Sequence, residues 1–371
     1  MPWPASLDTN SLVELWRVPL GSGYSGPIVY GDQVFVTETV KKEEEVVRAL
    51  DRETGIVNWT QGWPGAIKVP FFARANGSWI RSTPACDGPR LYVGGIRDVL
   101  VCLDTSSGDE IWRVDFVESF GSPSPNFGFV CSPLLDGDFV YVQAGGAFVK
   151  LDKLTGDIIW RSLEDGGGMF HNAFSSPVKA TVQGSPQLVV QTRERLVGVD
   201  EETGDELWSQ DIEAYRGMNI LTPTILGDRV FTSAHSGSSQ LFELALRDES
   251  FHVERVWENR VQAYMSSPVV IDEHLYMHLK NQRFTCLDLR TGETQWTSKP
   301  FGKYWSLVVQ RDRILVLDER GDLLLIRADS KSFNLIDKLH ISDAPTWAHL
   351  AVAGDMVFVR ELNAQVAFRW K

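Results

Sequence analysis

The stretch Leu151–Trp160 reads LDKLTGDIIW, and its pattern of residue types recurs along the chain. A leucine and Asp152 lead into a turn that ends in Gly156, and Trp160 follows eight residues after the aspartate. Glycine supplies the positive φ that such a turn requires, while aspartate and threonine side chains bond the turn's backbone. The stretch therefore predicts a strand, a tight turn and a second strand.

The spacing of eight residues from aspartate to tryptophan is found five times. The pairs are Asp51 and Trp59, Asp104 and Trp112, Asp152 and Trp160, Asp200 and Trp208, and Asp288 and Trp296. A Thr-Gly or Ser-Gly pair lies inside every copy. The gap between the last two copies is about twice the preceding one, and Trp257 marks a degenerate copy within it. Self-similarity at a fixed period is the signature of a repeat architecture.

A second recurring pattern precedes each of these units. It consists of a Ser, Thr or Gly before a proline, an apolar strand, an Asp/Gly turn and a strand rich in Val, Phe and Tyr. Six copies contain the proline, and two fainter copies lack it: Pro27, Pro84, Pro133, Pro177, Pro223 and Pro268, then the segments at Ser306 and His349. Four short antiparallel strands at a period of about 45 residues are typical of a β-propeller blade. The eight copies predict eight blades, in preference to seven blades with an irregular end.

The two ends of the chain are expected to share one blade. The last blade stops at Lys371 before it has a fourth strand, while Leu12–Val18 resembles the outer strand Glu110–Val114. Pairing the N-terminal strand with the last blade would close the ring and remove an exposed sheet edge. We therefore predict an all-β fold, an eight-bladed β-propeller of four-stranded antiparallel blades. Residues 1–371 form one domain, with blade 8 shared between about residues 10–20 and 345–371.

The repeated tryptophans are interpreted as structural residues that dock one blade on the next. A large flat side chain can wedge between adjacent sheets, and its indole N–H can reach a neighbouring backbone carbonyl. The predicted docking residues are Trp16, Trp59, Trp112, Trp160, Trp208, Trp257 and Trp296. Blade 7 has Leu335-Ile336-Asp337 at this place, so its junction is expected to be looser.

Composition narrows the classes of function. The net charge of −13 and the lack of a basic run disfavour nucleic-acid binding. No apolar run approaches the ~20 residues of a membrane span, and the first residues lack the features of a secretory signal. Four scattered cysteines predict free thiols rather than a metal or redox site. The run Lys41–Glu45 is interpreted as a solvated hairpin tip, and a monomer is expected.

The repeated Leu-Asp-x-x-Thr-Gly-x-x-x-Trp pattern resembles the tryptophan-docking repeat of the PQQ-like (pyrroloquinoline-quinone-like) β-propeller family. The resemblance covers nearly the whole chain. That family includes quinone-dependent alcohol and sugar dehydrogenases, outer-membrane assembly lipoproteins of the BamB kind and sensor domains of kinases. The resemblance implies a periplasmic or exported location. It allows PQQ with calcium as a cofactor, although the residues themselves specify none.

Several departures from the dehydrogenases count against catalysis. Those enzymes resemble one another in a vicinal disulfide beside the cofactor, and this chain has no Cys-Cys pair. They are also longer, and their calcium ligands and catalytic aspartate match no motif here. The docking tryptophans are the part of the resemblance that can be placed on this sequence.

A binding site is expected on the variable face of the propeller, where the loops between blades and between second and third strands emerge. Residues just before each first strand should point towards the central channel. The predicted channel-mouth residues are Tyr24, Trp79, Arg81, Phe129, His171, Asn172, Arg216, Asn219, Tyr264, Lys303, Tyr304, Trp305, Trp347 and His349. His171 and His349 lie on facing blades, but two histidines without a carboxylate are too few ligands to predict a metal site.

The predicted mouth is aromatic, and its charged residues are basic. It suits a flat, sugar-like or anionic small ligand, with Arg81, Arg216 or Lys303 holding the anion. It also suits a protein partner, or the rings could simply plug the channel. No nucleophile elbow is present. The first hypothesis is a non-catalytic scaffold that binds a ligand or a protein; the alternatives are a PQQ-dependent oxidoreductase and a sensor domain of a kinase-linked protein.

Overall fold

The chain folds into eight four-stranded antiparallel sheets arranged as an eight-bladed β-propeller, which confirms the predicted fold. The computed structural model describes residues 3, 5–69, 77–165 and 173–371. Besides strands, these residues form a short helix α1 (Phe116–Phe120) and a 3₁₀ turn (Tyr215–Gly217). Among the described residues no helix is long and apolar enough to span a membrane.

The strands of the first four blades follow one another along the chain after β1 (Leu12–Pro19). Blade 1 contains β2 (Ile28–Tyr30), β3 (Gln33–Val40), β4 (Glu44–Asp51) and β5 (Val57–Pro64). Blade 2 contains β6 (Ala85–Cys86), β7 (Arg90–Gly95), β8 (Val99–Asp104) and β9 (Glu110–Asp115). Blade 3 contains β10 (Leu134–Asp136), β11 (Phe139–Ala144), β12 (Ala147–Asp152) and β13 (Ile158–Ser162). Blade 4 contains β14 (Val178–Val182), β15 (Ser185–Gln191), β16 (Arg195–Val199) and β17 (Glu206–Asp211).

The remaining blades repeat the same order. Blade 5 contains β18 (Thr224–Leu226), β19 (Arg229–Ser233), β20 (Ser239–Arg247) and β21 (Ser250–Asn259). Blade 6 contains β22 (Val269–Ile271), β23 (His274–His278), β24 (Arg283–Asp288) and β25 (Thr294–Pro300). Blade 7 contains β26 (Trp305–Gln310), β27 (Arg313–Asp318), β28 (Asp322–Arg327) and β29 (Asn334–His340). Blade 8 contains β30 (Ala351–Ala353), β31 (Met356–Glu361) and β32 (Ala364–Trp370), with β1 as its outer strand.

The N-terminal strand closes the ring, as predicted. β1 pairs antiparallel with β32, with Leu12 opposite Trp370 and Pro19 opposite Ala364. The main-chain N–H of Lys371 donates to the carbonyl of Ser11 at 2.9 Å, so the two ends of the chain are directly bonded. Without β1, the long strand β32 would present an unpaired edge to solvent.

The burial pattern follows the position of each strand in its blade. Second and third strands are buried nearly throughout, as in β8, because neighbouring blades cover both of their faces. Outer strands such as β9 are largely exposed, with Trp112 as the buried residue. The hydrophobic core is therefore distributed between the blades rather than within one layer.

Five of the seven repeated tryptophans pack on the glycine turn of the following blade. The ring of Trp59 lies on Gly108, whose φ of 79° requires glycine, and an added Cβ there would be 2.5 Å from the ring. The indole N–H of Trp59 donates to the carbonyl of Thr105 in that turn at 2.8 Å. Four further pairs have the same contact: Trp16 with Gly55, Trp112 with Gly156, Trp160 with Gly204, and Trp257 with Gly292. The two signature residues of the repeat therefore meet between blades, not within one copy.

Trp208 differs from the other docking tryptophans. Blade 5, which follows it, joins β20 to β21 by the two-residue turn Asp248-Glu249 in place of a Thr-Gly turn. The indole N–H of Trp208 donates instead to the side-chain oxygen of Gln187 in its own blade, at 2.6 Å. Its ring is still buried in a cluster that includes Val230 and Phe242 of blade 5. The contact between blades is kept while the hydrogen bond is lost.

The junction after blade 7 is filled by the N-terminal segment. Asp337 takes the register position that tryptophan occupies in the other outer strands. Its carboxylate accepts the main-chain N–H of Leu7 at 2.9 Å, and Leu7 is buried in the cluster shared by blades 7 and 8. Trp3 lies beside Trp370, with ring centres 6.0 Å apart. The N-terminal segment therefore fills the space of the missing tryptophan. The junction after blade 7 is thus packed, whereas the sequence predicted a looser one.

Candidate functional site

A cavity of about 260 Å³ occupies the central channel and is lined by residues from all eight blades. Its wall is built by the extended segments that lead into each first strand. Because alternate residues of an extended segment point the same way, six of the blades contribute one residue and the residue two places further on. The lining therefore forms two layers.

The outer layer contains one residue per blade, and all but one are apolar or aromatic. Its members are Tyr24, Arg81, Val130, Phe174, Ile220, Met265, Trp305 and Trp347. Arg81 is the single charged residue of this layer. Flat and apolar walls around one cation are suited to a ligand with a planar body and a negative group.

The inner layer is mainly hydroxylic. It contains the Ser or Thr that precedes the proline in five blades, together with the histidine of blade 8: Thr83, Ser132, Ser176, Thr222, Ser267 and His349. From the sequence, the Ser/Thr-Pro pairs were interpreted only as the starts of strands. Their position in the channel lining was not predicted. The regular recurrence of Ser or Thr at one position per blade was the available signal.

Two of the inner hydroxyls also connect neighbouring blades. The hydroxyl oxygen of Thr83 accepts the main-chain N–H of Gly26 at 3.1 Å. The hydroxyl oxygen of Ser176 accepts the main-chain N–H of Ser132 at 2.9 Å. Each oxygen is used as an acceptor towards the wall, so the hydroxyl hydrogen remains to be donated elsewhere.

The aromatic residues at the channel mouth pack on one another in a continuous series that we call the mouth arc. Tyr304 stacks on Trp347 with ring centres 3.8 Å apart, and Trp347 contacts Tyr24 at 4.3 Å. Beyond them the arc runs to Trp79 on one side and Tyr264 on the other. The rings therefore partly fill the mouth, as the plugging alternative requires, while several of them also line the cavity.

The arc continues further than the sequence indicated. His235 lies 5.2 Å from the ring centre of Tyr264, and Tyr215 lies 6.3 Å beyond it. These two residues come from the β19–β20 loop and the 3₁₀ turn, where no periodic pattern sets side-chain direction. Tyr215 is 53% exposed and gives the arc an accessible end.

Two exposed cations lie over rings of the arc. The ammonium group of Lys303 is 4.9 Å from the ring centre of Tyr304, and the guanidinium of Arg216 is 5.1 Å from that of Tyr215. Both distances are within the range of cation–π attraction. The mouth thus combines aromatic surface with positive charge in a chain of net charge −13.

Burial governs the ionisation of the channel groups. The pKa of Arg81 is lowered by desolvation, against the opposing effect of Tyr24. Burial also raises the pKa of Tyr24 and of Tyr304 to about 12. His349 is exposed to the channel, yet desolvation by the surrounding protein lowers its pKa below the ordinary value. The described residues that line the channel therefore carry no negative charge at neutral pH.

Three predicted mouth residues lie elsewhere or are buried more deeply than expected. Phe129 is fully buried against Phe116, and Asn219 is buried with its amide donating to two backbone carbonyls. Each was assigned one residue out of register, since Val130 and the neighbours of Asn219 face the cavity instead. Trp305 does border the cavity, but it is 4% exposed and its indole donates to Asp318.

The predicted residues His171 and Asn172 lie outside the described residues. The docking tryptophans, all of which are described, do not line the cavity. Within the described ranges no group of three His, Cys, Asp or Glu side chains could hold a metal ion. The channel chemistry of the described chain is thus that of aromatic rings, hydroxyls, one guanidinium and one imidazole.

Near the variable face, Glu45 is buried although the adjoining residues Lys41–Glu44 are exposed, which corrects the interpretation of that run. Its carboxylate accepts the indole N–H of Trp63 at 2.9 Å and the main-chain N–H of Ile96 in blade 2 at 2.8 Å. Desolvation raises the pKa of Glu45 from 4.5 to about 7, against the hydrogen bonds and the charges of Arg113 and Arg97. Glu45 therefore joins blades 1 and 2 at a desolvation cost.

Because the pKa of Glu45 is raised, we predict that the free energy of unfolding decreases as pH rises. A carboxyl group with a raised pKa in the folded state favours folding fully below its unfolded pKa and loses that contribution as pH passes the folded pKa. Between pH 4.5 and about 7.5 the free energy of unfolding of the wild-type protein should fall by about 3 kcal/mol. The Glu45→Gln variant should not show this decrease. Urea unfolding at a series of pH values measures this difference. The exposed neighbour Glu44 gives the control Glu44→Gln, and identical pH profiles for wild type and Glu45→Gln would contradict the assignment.

Comparison with known proteins places the chain among PQQ-like propellers. The sequence profile described as outer membrane protein assembly factor BamB matches residues 5–71 and 43–298. The BamB protein of Yersinia pestis is 23% identical over 267 residues, which cover 66% of this chain and 63% of that protein. The BamB protein of Moranella endobia is 21% identical over 385 residues, covering 99% of this chain and 92% of that protein.

Solved structures show the same fold. BamB from Moraxella catarrhalis superposes with a TM-score of 0.68 at 16% identity, covering 97% of this chain and 98% of the other. A quinohemoprotein alcohol dehydrogenase from Pseudomonas putida HK5 superposes with a TM-score of 0.53 at 11% identity, covering 97% of this chain and 76% of the other. At these identities the likeness concerns the fold alone.

Proposed function

Since this chain belongs to the PQQ-like propeller family described as outer membrane protein assembly factor BamB, we propose that it is a non-catalytic scaffold for a protein partner. The partner binds at the channel mouth, and the process served is the assembly of outer membrane proteins. The corresponding location is the periplasm, at the outer membrane. The family supports the process, and the chemistry of the mouth supports the binding surface.

The mouth arc with its two cations is the observation that carries this proposal. Tyr215 offers an exposed aromatic ring, and Arg216 and Lys303 place positive charge over the rings of the arc. Aromatic residues and arginine are the side chains most enriched among those that dominate protein interfaces. Because the rest of the chain is acidic, this positive surface favours an acidic partner segment and repels most others.

A pair of tyrosines on opposite faces tests the proposal. Tyr215 lies at the mouth and Tyr30 lies beside the Asp/Gly turn of blade 1, and they are 53% and 52% exposed. A photo-crosslinking amino acid is placed at either position in the organism that encodes the chain. We expect one discrete adduct from position 215 that disappears when Lys303→Ser is added, and none from position 30. Equal adducts from both positions, or an adduct from position 30 alone, would refute mouth binding.

The donor groups of the channel do not fit a calcium-bound quinone. Calcium takes six to eight oxygen ligands, typically including carboxylates, and the residues that line the cavity include no Asp or Glu. Arg81 is the single lining residue with a permanent positive charge, whereas PQQ carries three carboxylates. No catalytic step is therefore assigned to this chain.

This chemistry predicts the outcome of a reconstitution. Purified protein titrated with PQQ and calcium should give no saturable change in cofactor absorbance and no dye reduction with alcohols or aldose sugars. The measurement is an absorbance titration, with a quinone-dependent alcohol dehydrogenase as the positive control. A saturable spectral shift with dye reduction would establish the oxidoreductase alternative.

A further inference from the structure

The guanidinium of Arg81 lacks a counter-charge. One of its nitrogens donates to the carbonyl of Gly77 at 2.7 Å, while its Nε is buried without a hydrogen-bond partner. In the described part of the chain no carboxylate lies within ion-pair distance of Arg81. A buried charge is ordinarily paired, because isolation from water is costly.

The remainder of the chain does not supply the missing partner either. The residues outside the described ranges are 1, 2, 4, 70–76 and 166–172, and their sequence contains no aspartate or glutamate. A counter-ion for Arg81, if it is paired, would therefore be a bound anion rather than a side chain of this sequence. Burial lowers the pKa of Arg81, and an anion beside it would oppose that effect.

The hydroxyls beside Arg81 are oriented for the same kind of ligand. Thr83 and Ser176 accept main-chain N–H groups of neighbouring blades, so their hydroxyl hydrogens are left for an acceptor inside the channel. Arg81 and Thr83 lie two residues apart on one extended segment and both line the cavity. A cation and hydroxyl donors that converge on one space form a receptor for a carboxylate.

The rest of the cavity sets the size and shape of the ligand. Its volume of about 260 Å³ corresponds to about nine water molecules at roughly 30 Å³ each. Phe127 and Phe174 meet edge to face with ring centres 5.7 Å apart, and the stacked Tyr304 and Trp347 also line the wall. Such walls contact a flat apolar body, and the volume suits a small ligand.

We propose that the channel cavity binds a small aromatic monocarboxylate, with its carboxylate on Arg81 and Thr83 and its ring between the aromatic walls. The exposed residues Tyr215, Arg216 and Lys303 of the proposed partner surface do not line this cavity, although the arc residues Tyr304 and Trp347 do. Its ligand is recognised by one negative charge and one flat ring. The proposal therefore concerns a second binding activity of the channel.

Isothermal titration calorimetry with two ligands of nearly the same shape tests the proposal. Benzoate carries the required charge, and benzamide has nearly the same shape without it. Wild-type protein should bind benzoate with a dissociation constant on the order of 0.1–1 mM, and benzamide should bind about tenfold more weakly or not at all. Equal affinity for the two probes, or no saturable heat with benzoate up to about 10 mM, would overturn the proposal.

Variants of Arg81 locate the site. Arg81→Met keeps the length and apolar stem of the side chain and should weaken benzoate binding about tenfold to a hundredfold. Arg81→Lys should restore part of the affinity, and Arg290→Met, at an exposed arginine in the turn between β24 and β25, is the matched control that keeps wild-type affinity. Circular dichroism verifies that each variant is folded. Benzoate affinity within twofold of wild type in folded Arg81→Met would overturn the site, whereas the adduct at position 215 should persist in that variant.

Discussion

Replacing Trp59 by alanine is expected to lower the free energy of unfolding by about 3–5 kcal/mol. The side chain of Trp59 is 9% exposed and packs with Phe35, and its ring covers the turn glycine of the next blade. Its removal leaves a cavity at the junction of two blades and leaves the carbonyl of Thr105 without its donor. Urea unfolding monitored by circular dichroism measures the change, and a loss below about 1 kcal/mol would contradict a docking role.

The partner of Trp59 can be tested independently through two glycines. Gly108 and Gly137 both have positive φ, but an added Cβ at Gly108 would meet the Trp59 ring, whereas none of the described atoms lies within 4 Å of one at Gly137. Gly137→Ala should cost about 1–2 kcal/mol from backbone strain alone. Gly108→Ala should cost several kcal/mol more, and this excess should vanish in the Trp59→Ala background. Equal costs at the two glycines would show that the contact does not hold the blades together.

Deleting residues 1–19 is expected to abolish the cooperative unfolding transition. The deletion removes β1, with the buried side chains of Leu12 and Trp16, and leaves β32 without its outer partner. It also empties the junction after blade 7, where Leu7 is buried. The lost burial is worth more than about 5 kcal/mol, which is comparable with the whole stability of an ordinary domain.

Complementation separates loss of the strand from nonspecific damage. A synthetic peptide of residues 1–20, added to the truncated protein, should restore the transition, while a scrambled peptide should not. Thermal unfolding by circular dichroism is the measurement. A truncated protein that melts at the wild-type temperature without peptide would contradict closure of the ring by β1.

The architecture could be predicted from sequence because its determinants are local and repeated. Asp152, Gly156 and Trp160 lie within one short stretch, and five copies make the period visible in a single chain. The repeat pattern does not predict which residue of another blade each of these side chains contacts. Trp59 meets the glycine of the next copy, and Asp337 replaces a tryptophan while binding the chain end. Both contacts depend on how one blade lies on another.

The position of the channel cavity could be predicted from the sequence, and the identity of its lining residues only in part. Tyr24, Tyr304 and Trp347 line the channel as expected, because the segments before each first strand converge on the axis. Phe129 and Asn219 were misassigned because a shift of one residue turns a side chain to the other side of an extended segment. Tyr215 and His235 joined the arc through loops whose geometry no repeat specifies.

Two sets of residues have different roles in this propeller. Those that repeat in most blades build the ring, as Trp59 and Gly108 do. Those that differ between blades, such as Arg81 in the channel and Tyr215 at the mouth, create surfaces that one ligand or partner can recognise. The fold can therefore be shared with dehydrogenases while the binding chemistry differs.

The most direct measurement of the central claim is the amount of folded outer membrane protein in cells that carry mouth variants. The gene is replaced by Tyr215→Ser with Lys303→Ser, or by Tyr30→Ser on the opposite face as the matched control. Folded outer membrane protein is quantified in isolated membranes by its heat-modifiable mobility, with the level of the scaffold measured alongside. The mouth variant should lower the folded fraction at an unchanged scaffold level, while the control stays at wild type. Wild-type levels in the mouth variant, or an equal loss in both, would contradict a scaffold that acts through its channel mouth.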